Sequence, residues 1–329
     1  LGHLPQAIER LREGLAQPWV RLDESVSSAV IAACYVLALY EAGDIDGAEA
    51  QFEQAQEGIS NFALLDYVCV AFVSMSRIHE LRGRSAQALE LLDQADSIGH
   101  TRLWPRLVHL IGWERVRRLL LRGELDRARA AASRIGTSET PVPAGWIMFS
   151  EDAEGDHIGQ IRLAVHGGQF ELALGLISEH LAIAQRQGRV LRQVKLGTLE
   201  AIALHRLGND SAAQRSLLRA LQLARPGGLI RCVLDEGRDA VVLLKRLYEY
   251  QAGASPQDAD MREFQTYVAR LLDAAGEDVR VGQSPEFQTL EPLTEREKKI
   301  LVLLANAVSN EEMAQRLFVS KSPIKFHLK

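Results

Sequence analysis

Three arginines stand at one phase of a repeating pattern. Counting six residues back from Gly83, Gly123 and Gly168 lands on Arg77, Arg117 and Arg162. The same count from Gly43 and Gly208 lands on Leu37 and Ile202. Three consecutive units thus carry a guanidinium at equivalent places, and Trp113 lies one helical turn before Arg117. A planar guanidinium fork matches a carboxylate or phosphate, and an indole face suits the organic part of a metabolite. Arg77, Trp113, Arg117 and Arg162 are therefore candidate contacts for an anionic or aromatic-acid effector, or for an acidic peptide. The plainer reading makes them ordinary groove charges paired with Glu80, Glu114 or neighbours, since exposed pairs are common and contribute little.

A second set of cations lies at the C-terminus. Lys321, Lys325 and Lys329 recur every four residues behind Ser320. The chain as a whole has 38 Lys and Arg against 43 Asp and Glu, a net charge of −5. Residues 293–329 hold seven basic and four acidic side chains, which leaves 31 basic against 39 acidic elsewhere. Only the C-terminal stretch has a charge balance that favours a polyanion.

Other chemistry finds no support. There is no G-x-S-x-G elbow and no paired-carboxylate motif beyond what an acidic surface supplies by chance. Asp235 and Glu236 are adjacent, so their side chains point apart, and they read as a solvated cap. The nine His residues show neither HExxH nor Cys/His ligand spacing, so no metal is assigned. No G-x-x-x-x-G-K-[ST] occurs, so a phosphate loop of that kind is absent and no cofactor is expected in this chain. Cys34, Cys69 and Cys232 each sit in an apolar run and read as buried small hydrophobes of a reducing cytoplasm. No run of 18 apolar residues lacks charges, so no membrane span is expected. Leu1 is not a start Met and the pattern is cut at both ends, which predicts a piece of a longer protein.

The elements that must position these residues are helical. From Leu1 to about Ala224 apolar residues recur with a period of 3.6 and almost never alternate. Gly43, Gly83, Gly123, Gly168 and Gly208 are 40, 40, 45 and 40 residues apart, and Ala48, Ala88, Ala128, Ala173 and Ala213 keep the same steps. Gly2 and Ala7 begin an earlier, shortened copy. Each Gly suits the left-handed position that closes a first helix. The Ala five residues on lets the second helix approach closely. One such pair cannot bury its apolar face alone, so neighbours must stack into a superhelix. The 45-residue step coincides with residues 137–157, where Pro141, Pro143 and Gly145 predict a loop, with Trp146 placed to cover the arginine site.

Past Ala224 the texture changes. Pro226, Gly227 and Gly228 break the helix, and two further helices follow, from about Asp239 and from Met261 to Ala275. Residues 276–292 read as a flexible linker. Residues 293–329 read as three short helices. Thr294 and Glu297 form a capping box, Ser309 caps the second helix, and Ser320 caps the third, with Pro323 tolerated in its first turn. Two helices joined by a tight turn, the second basic, make a helix-turn-helix. The reading is all-α: repeats over 1–224, a helical extension over 225–275, a linker over 276–292, and a helix-turn-helix over 293–329.

The Gly and Ala spacing resembles tetratricopeptide repeats, although the period is longer and the first-helix Trp-Leu-Gly-Tyr marks are mostly missing. That resemblance places the first helices, and the phase of Arg77, Arg117 and Arg162, on a concave groove. The C-terminal residues Leu293, Thr294, Arg296, Glu297, Ser309, Asn310, Glu312, Met313, Ala314, Leu317, Phe318, Val319, Ser320, Lys325, His327 and Leu328 resemble the LuxR/FixJ-type helix-turn-helix. Lys299, Ala307 and Pro323 depart from its pattern. The resemblance implies that Lys325, Phe326 and Lys329 face base edges of DNA and that Ser320 and Lys321 meet phosphates.

Pro226, Gly228, Ile230, Arg231, Asp235, Glu236, Gly237, Leu243 and Leu244 complete an order of elements similar to the large ATP-binding, MalT-like LuxR regulators. That family carries a nucleotide-binding domain before the repeats, so ATP is implied only for a domain missing from this chain. It also implies DNA as a partner, an effector sensed by the repeats, and self-association of the full-length protein. The alternative is a repeat scaffold that binds a protein or peptide, with the DNA module as its address.

Overall fold

The structure is a computed structural model, and it describes residues 3–21, 25–135, 148–252 and 259–277. The chain divides after Asp278, and every described residue falls in the first part. The expected helix-turn-helix with Ser320, Lys321, Lys325, Phe326 and Lys329, and Trp146 of the insertion, lie outside the described residues.

Among the described residues the regular structure is helical, with no strand. Helices α1 (Leu4–Ala16) and α2 (Pro18–Arg21) come first. Five pairs follow: α3 (Val26–Glu41) with α4 (Ile45–Phe62), α5 (Leu65–Leu81) with α6 (Ser85–Thr101), α7 (Pro105–Leu121) with α8 (Leu125–Ile135), then two more after an interruption. The interruption holds the four-residue α9 (Ser150–Ala153). The last pairs are α10 (Asp156–His166) with α11 (Phe170–Arg186) and α12 (Val190–Arg206) with α13 (Asp210–Ala224). A 3-10 turn, α14 (Arg231–Leu234), α15 (Arg238–Ala252) and α16 (Ala259–Ala274) complete the described chain.

Each pair turns on its expected glycine. Gly43 has φ +82°; its N–H donates to the Tyr40 carbonyl at 2.9 Å and the Asp44 N–H to the Leu39 carbonyl at 2.9 Å. This double closure satisfies carbonyls that the helix end would otherwise orphan. The same two bonds recur at Gly83, Gly123, Gly168 and Gly208. Ala48, Ala88, Ala128, Ala173 and Ala213 are all fully buried, as the spacing predicts. α1 packs on α3 as the second helix of an earlier pair would.

The first helices form the inner layer, with α3, α5, α7, α10 and α12 each touching the next. α5 shows what that position demands. Val68 to Ile78 is one continuous buried run, so the helix is enclosed on all sides instead of along one stripe. Second helices cover its outer side, with Phe52 of α4 set edge-on to Phe72 at 5.2 Å. Its inner side meets α9, while α14 touches both α3 and α12, the first and last inner helices. The curved array therefore closes around two short inserted helices.

Two expectations need correction. Residues 150–157 of the insertion are not loop: α9 forms there and α10 begins at Asp156. Ser150, Asp152, Ala153 and Glu154 are buried as α9 packs against α5 and α12, where the Lys195 ammonium donates to the Asp152 and Ala153 carbonyls, at 2.8 and 2.9 Å. Asp235 and Glu236 are not a solvated cap either, being 4% and 5% exposed. The cysteines fit their reading: Cys69 and Cys232 are buried, Cys34 is half-buried, and burial pushes the Cys34 thiol up to about 11.

The turn glycines and the helix glycines should respond in opposite ways to Ala. A Cβ at Gly168 or at Gly175 would meet nothing within 4 Å, so neither change is steric. Gly168 has φ +75°, where an L side chain is strained, so Gly168→Ala should cost about 1 kcal/mol. Gly175 lies inside α11, so Gly175→Ala should gain about 0.5–1 kcal/mol. Urea denaturation of both variants checks this, and two shifts of the same sign would contradict it.

Candidate functional site

The three guanidiniums do come together, on the inner layer. Their setting differs from the expected open groove: Arg77, Arg117 and Arg162 are 3%, 5% and 1% exposed. Arg77 donates through Nη2 to Glu114 at 2.6 Å and to Glu154 at 3.1 Å, and through Nη1 to Asp235 at 3.0 Å. Arg117 donates to Glu114 at 2.7 Å and to the Asp235 carbonyl at 2.8 Å. Arg162 bridges the two inserts, bonding Glu154 at 2.6 Å and holding Glu236 in a two-pronged grip at 2.7 and 2.8 Å. α9 brings Glu154 and the chain after α14 brings Asp235 and Glu236, so the groove is filled at this level.

More groups complete the cluster. The Tyr40 hydroxyl donates to Asp235 at 2.8 Å, and Arg231 pairs with the same carboxylate at 2.7 Å. The Cys232 N–H donates to the Glu41 carboxylate at 2.9 Å, and the Ile230 N–H to the Glu41 carbonyl at 2.7 Å. Five cations (Arg77, Arg117, Arg162, Lys195 and Arg231) thus face five acids (Glu41, Glu114, Glu154, Asp235 and Glu236), all buried. Ionised groups persist in such an interior only when paired and hydrogen-bonded.

The acid strengths follow from the partners. Burial alone would raise Glu114, but the Arg117 and Arg77 guanidiniums override it and hold the carboxyl well below its usual range. The same contest, won by Arg231, Arg77 and Arg117, depresses Asp235, and Arg162 depresses Glu236. Glu41 has no guanidinium fork. Burial pushes it up to about 7, with Lys195 opposing. Burial, then Arg77 and Arg162, lower the Lys195 ammonium. Burial and Asp235 raise the Tyr40 phenol, which stays protonated as a donor.

Trp113 lies at the edge of the same layer and donates its indole N–H to Asp156. Gly159 of α10 makes room for the ring, since a Cβ there would lie 2.1 Å from it. The indole is 4% exposed, so it offers no open face. Of the plainer alternative's partners, Glu114 is indeed taken by Arg77 and Arg117, while Glu80 pairs with Arg118 and Arg122. No group of three or more His, Cys, Asp or Glu suited to a metal occurs among the described residues.

Residues 1–250 match the family model of the MalT-like TPR region. The chain belongs to the MalT-like TPR family. Residues 291–329 of this MalT-like chain match the model of bacterial regulatory proteins of the luxR family. The HTH-type transcriptional regulator MalT of Cronobacter sakazakii is 24% identical over 343 residues, covering 99% of this chain and 34% of that relative. The chain thus spans about a third of the length of the curated relative it matches. No helix among the described residues of this MalT-like array is long and apolar enough to cross a membrane.

Glu41, Glu154, Lys195, Asp235 and Glu236 escaped the sequence reading as members of one site. A signal existed for two of them. Asp235 and Glu236 sit between the apolar runs of Leu229–Leu234 and Ala240–Leu244, within a dense match to the MalT-like pattern. A solvated cap has no need of such surroundings.

Two outcomes follow. Asp235→Ala leaves Arg77 and Arg231 buried without their shared carboxylate and should cost about 3–5 kcal/mol. Asp239→Ala, which removes a surface partner of the half-exposed Arg206, should cost less than about 1 kcal/mol. Equal losses on denaturation would show that the cluster is not a buried network. The second outcome concerns pH. The folded Glu41 carboxyl keeps its proton up to about 7 against a usual value of 4.5. Folded protein therefore binds more protons than unfolded protein across that window, and stability is lost as pH rises through it. Glu41→Gln should flatten that decline by up to about 3 kcal/mol. Matching stability slopes for parent and variant between those values would refute the assignment.

Proposed function

We propose that this chain is the sensing and output part of a transcriptional regulator, not an enzyme. The observation that carries the reading is the union, in one chain, of a MalT-like TPR region over 1–250 and a LuxR-family segment over 291–329. The repeats form the input, and the C-terminal segment binds promoter DNA. A protein with that role works in the cytoplasm and associates with itself when it occupies DNA.

The buried network supports a specific form of sensing. Arg77, Arg117 and Arg162 hold both inserts, so any effector that engages them beside Trp113 must displace Glu154 or Asp235. Displacing Glu154 would free α9, and displacing Asp235 would free the inserted chain between α13 and α15. Effector binding then has a differential effect on two states, which a sensor requires.

On the DNA side, Ser320 and Lys321 meet phosphates, while Lys325, Phe326 and Lys329 face base edges. Lys321→Ala should weaken binding to all sequences and lower the salt slope by about one unit. Lys325→Ala should weaken binding and relax base preference as well. The measurement is binding of the complete protein, at several salt concentrations, to DNA that the parent selects from a random pool. Unchanged affinity in both variants would exclude this docking.

A further inference from the structure

Six arginines are buried among the described residues: Arg77, Arg117, Arg118, Arg162, Arg192 and Arg231. Five of them have a carboxylate within ion-pair distance. Arg192 has none. At 4% exposure it donates through Nη1 to the Glu151 carbonyl at 2.9 Å and makes no ion pair. Burial, then Arg189, lower its pKa, which marks a cation short of negative charge. Arg192 lines a small open cleft with Arg106, His109, Glu151, Asp156 and His157.

The backbone adds to this field. Arg106 lies in the first turn of α7, His157 in the first turn of α10 and Arg192 in the first turn of α12. None of these three helices has a side-chain cap on its leading N–H groups. Arg106, His157 and Arg192 thus bring three helix N-termini to one cleft, and each favours negative charge. The neighbouring acids are already engaged. Asp66 holds Arg106, Asp152 holds Arg189, and Asp156 holds His109 and Trp113. Glu151 is the one lining carboxylate without an ion pair, so it is the internal competitor for Arg192.

We propose that this cleft binds a small oxyanion group, a carboxylate or a phosphate, with Arg192 as its principal partner. The site lies between the third, fourth and fifth repeats, beside α9, and uses no side chain of the Arg77–Asp235 network. It names a place for the effector and depends on the sensing reading only for its purpose. The binding test below is separate from any test of DNA binding, so the two can fail independently.

The experiment titrates the 329-residue chain with acetate and, separately, inorganic phosphate, with chloride holding ionic strength constant, and follows the melting temperature. General salt effects act on parent and variants alike, whereas a site gives a saturable rise. The parent is expected to show saturation with one of the two, which assigns the group as carboxylate or phosphate. Arg192→Gln should weaken it at least about tenfold, and Glu151→Gln should tighten it severalfold by removing the competitor. No saturation in either parent or Glu151→Gln would overturn the proposal, as would equal affinity in Arg192→Gln. If Arg192→Gln does not fold, the comparison of parent with Glu151→Gln decides, and identical affinities overturn it.

Discussion

The Asp235 carboxylate must stay ionised in an interior that disfavours charge. It does so because Tyr40, Arg77 and Arg231 donate to its oxygens while Arg117 takes its backbone carbonyl. These donors come from α3, α5, α14 and α7, so one acid draws together helices from across the array. Glu236 next to it holds Arg162 of α10. Burial of charge on this scale is weak evidence for stability, because an apolar cluster of the same shape can match it. Its effect is to fix position: each of the four guanidiniums has one place where its charge is met, and a shifted insert would leave several unmet.

That constraint explains why the array departs from an open groove. Second helices need only an Ala to pack, and they follow the repeat. The inner helices carry charge at a repeated phase, and such a phase needs partners from outside the repeat. α9 and the chain around α14 supply them. Gly237 illustrates the fit: its φ is +85°, and a Cβ there would lie 2.6 Å from Leu121.

Much of this was legible in the sequence, for a physical reason. Turn glycines and contact alanines act locally, so Gly43 through Gly208 and Ala48 through Ala213 announce pairs by spacing alone. The phase of Arg77, Arg117 and Arg162 was equally readable, since a helix fixes the direction of a residue six before its end. Of what those arginines meet, only Glu114, on a neighbouring repeat, was readable. Glu154 and Asp235 reach Arg77 from 77 and 158 residues away, and no periodicity connects an insert to a repeat. Adjacent acids ordinarily point apart to solvent. Here they point apart to different guanidiniums inside the molecule, Asp235 to Arg77 and Arg231, Glu236 to Arg162.

The bond from Tyr40 to Asp235 spans 195 residues. A stack of repeats has contacts only between neighbours, so folding can start anywhere and spread along the array. In this chain the first four units carry Arg77, Arg117 and Arg162, while two of the acids that neutralise them, Asp235 and Glu236, lie beyond the fifth unit. The segment around α14 joins the first inner helix, α3, to the fifth, α12. Nearest-neighbour stacking is thereby turned into an assembly that locks as a whole.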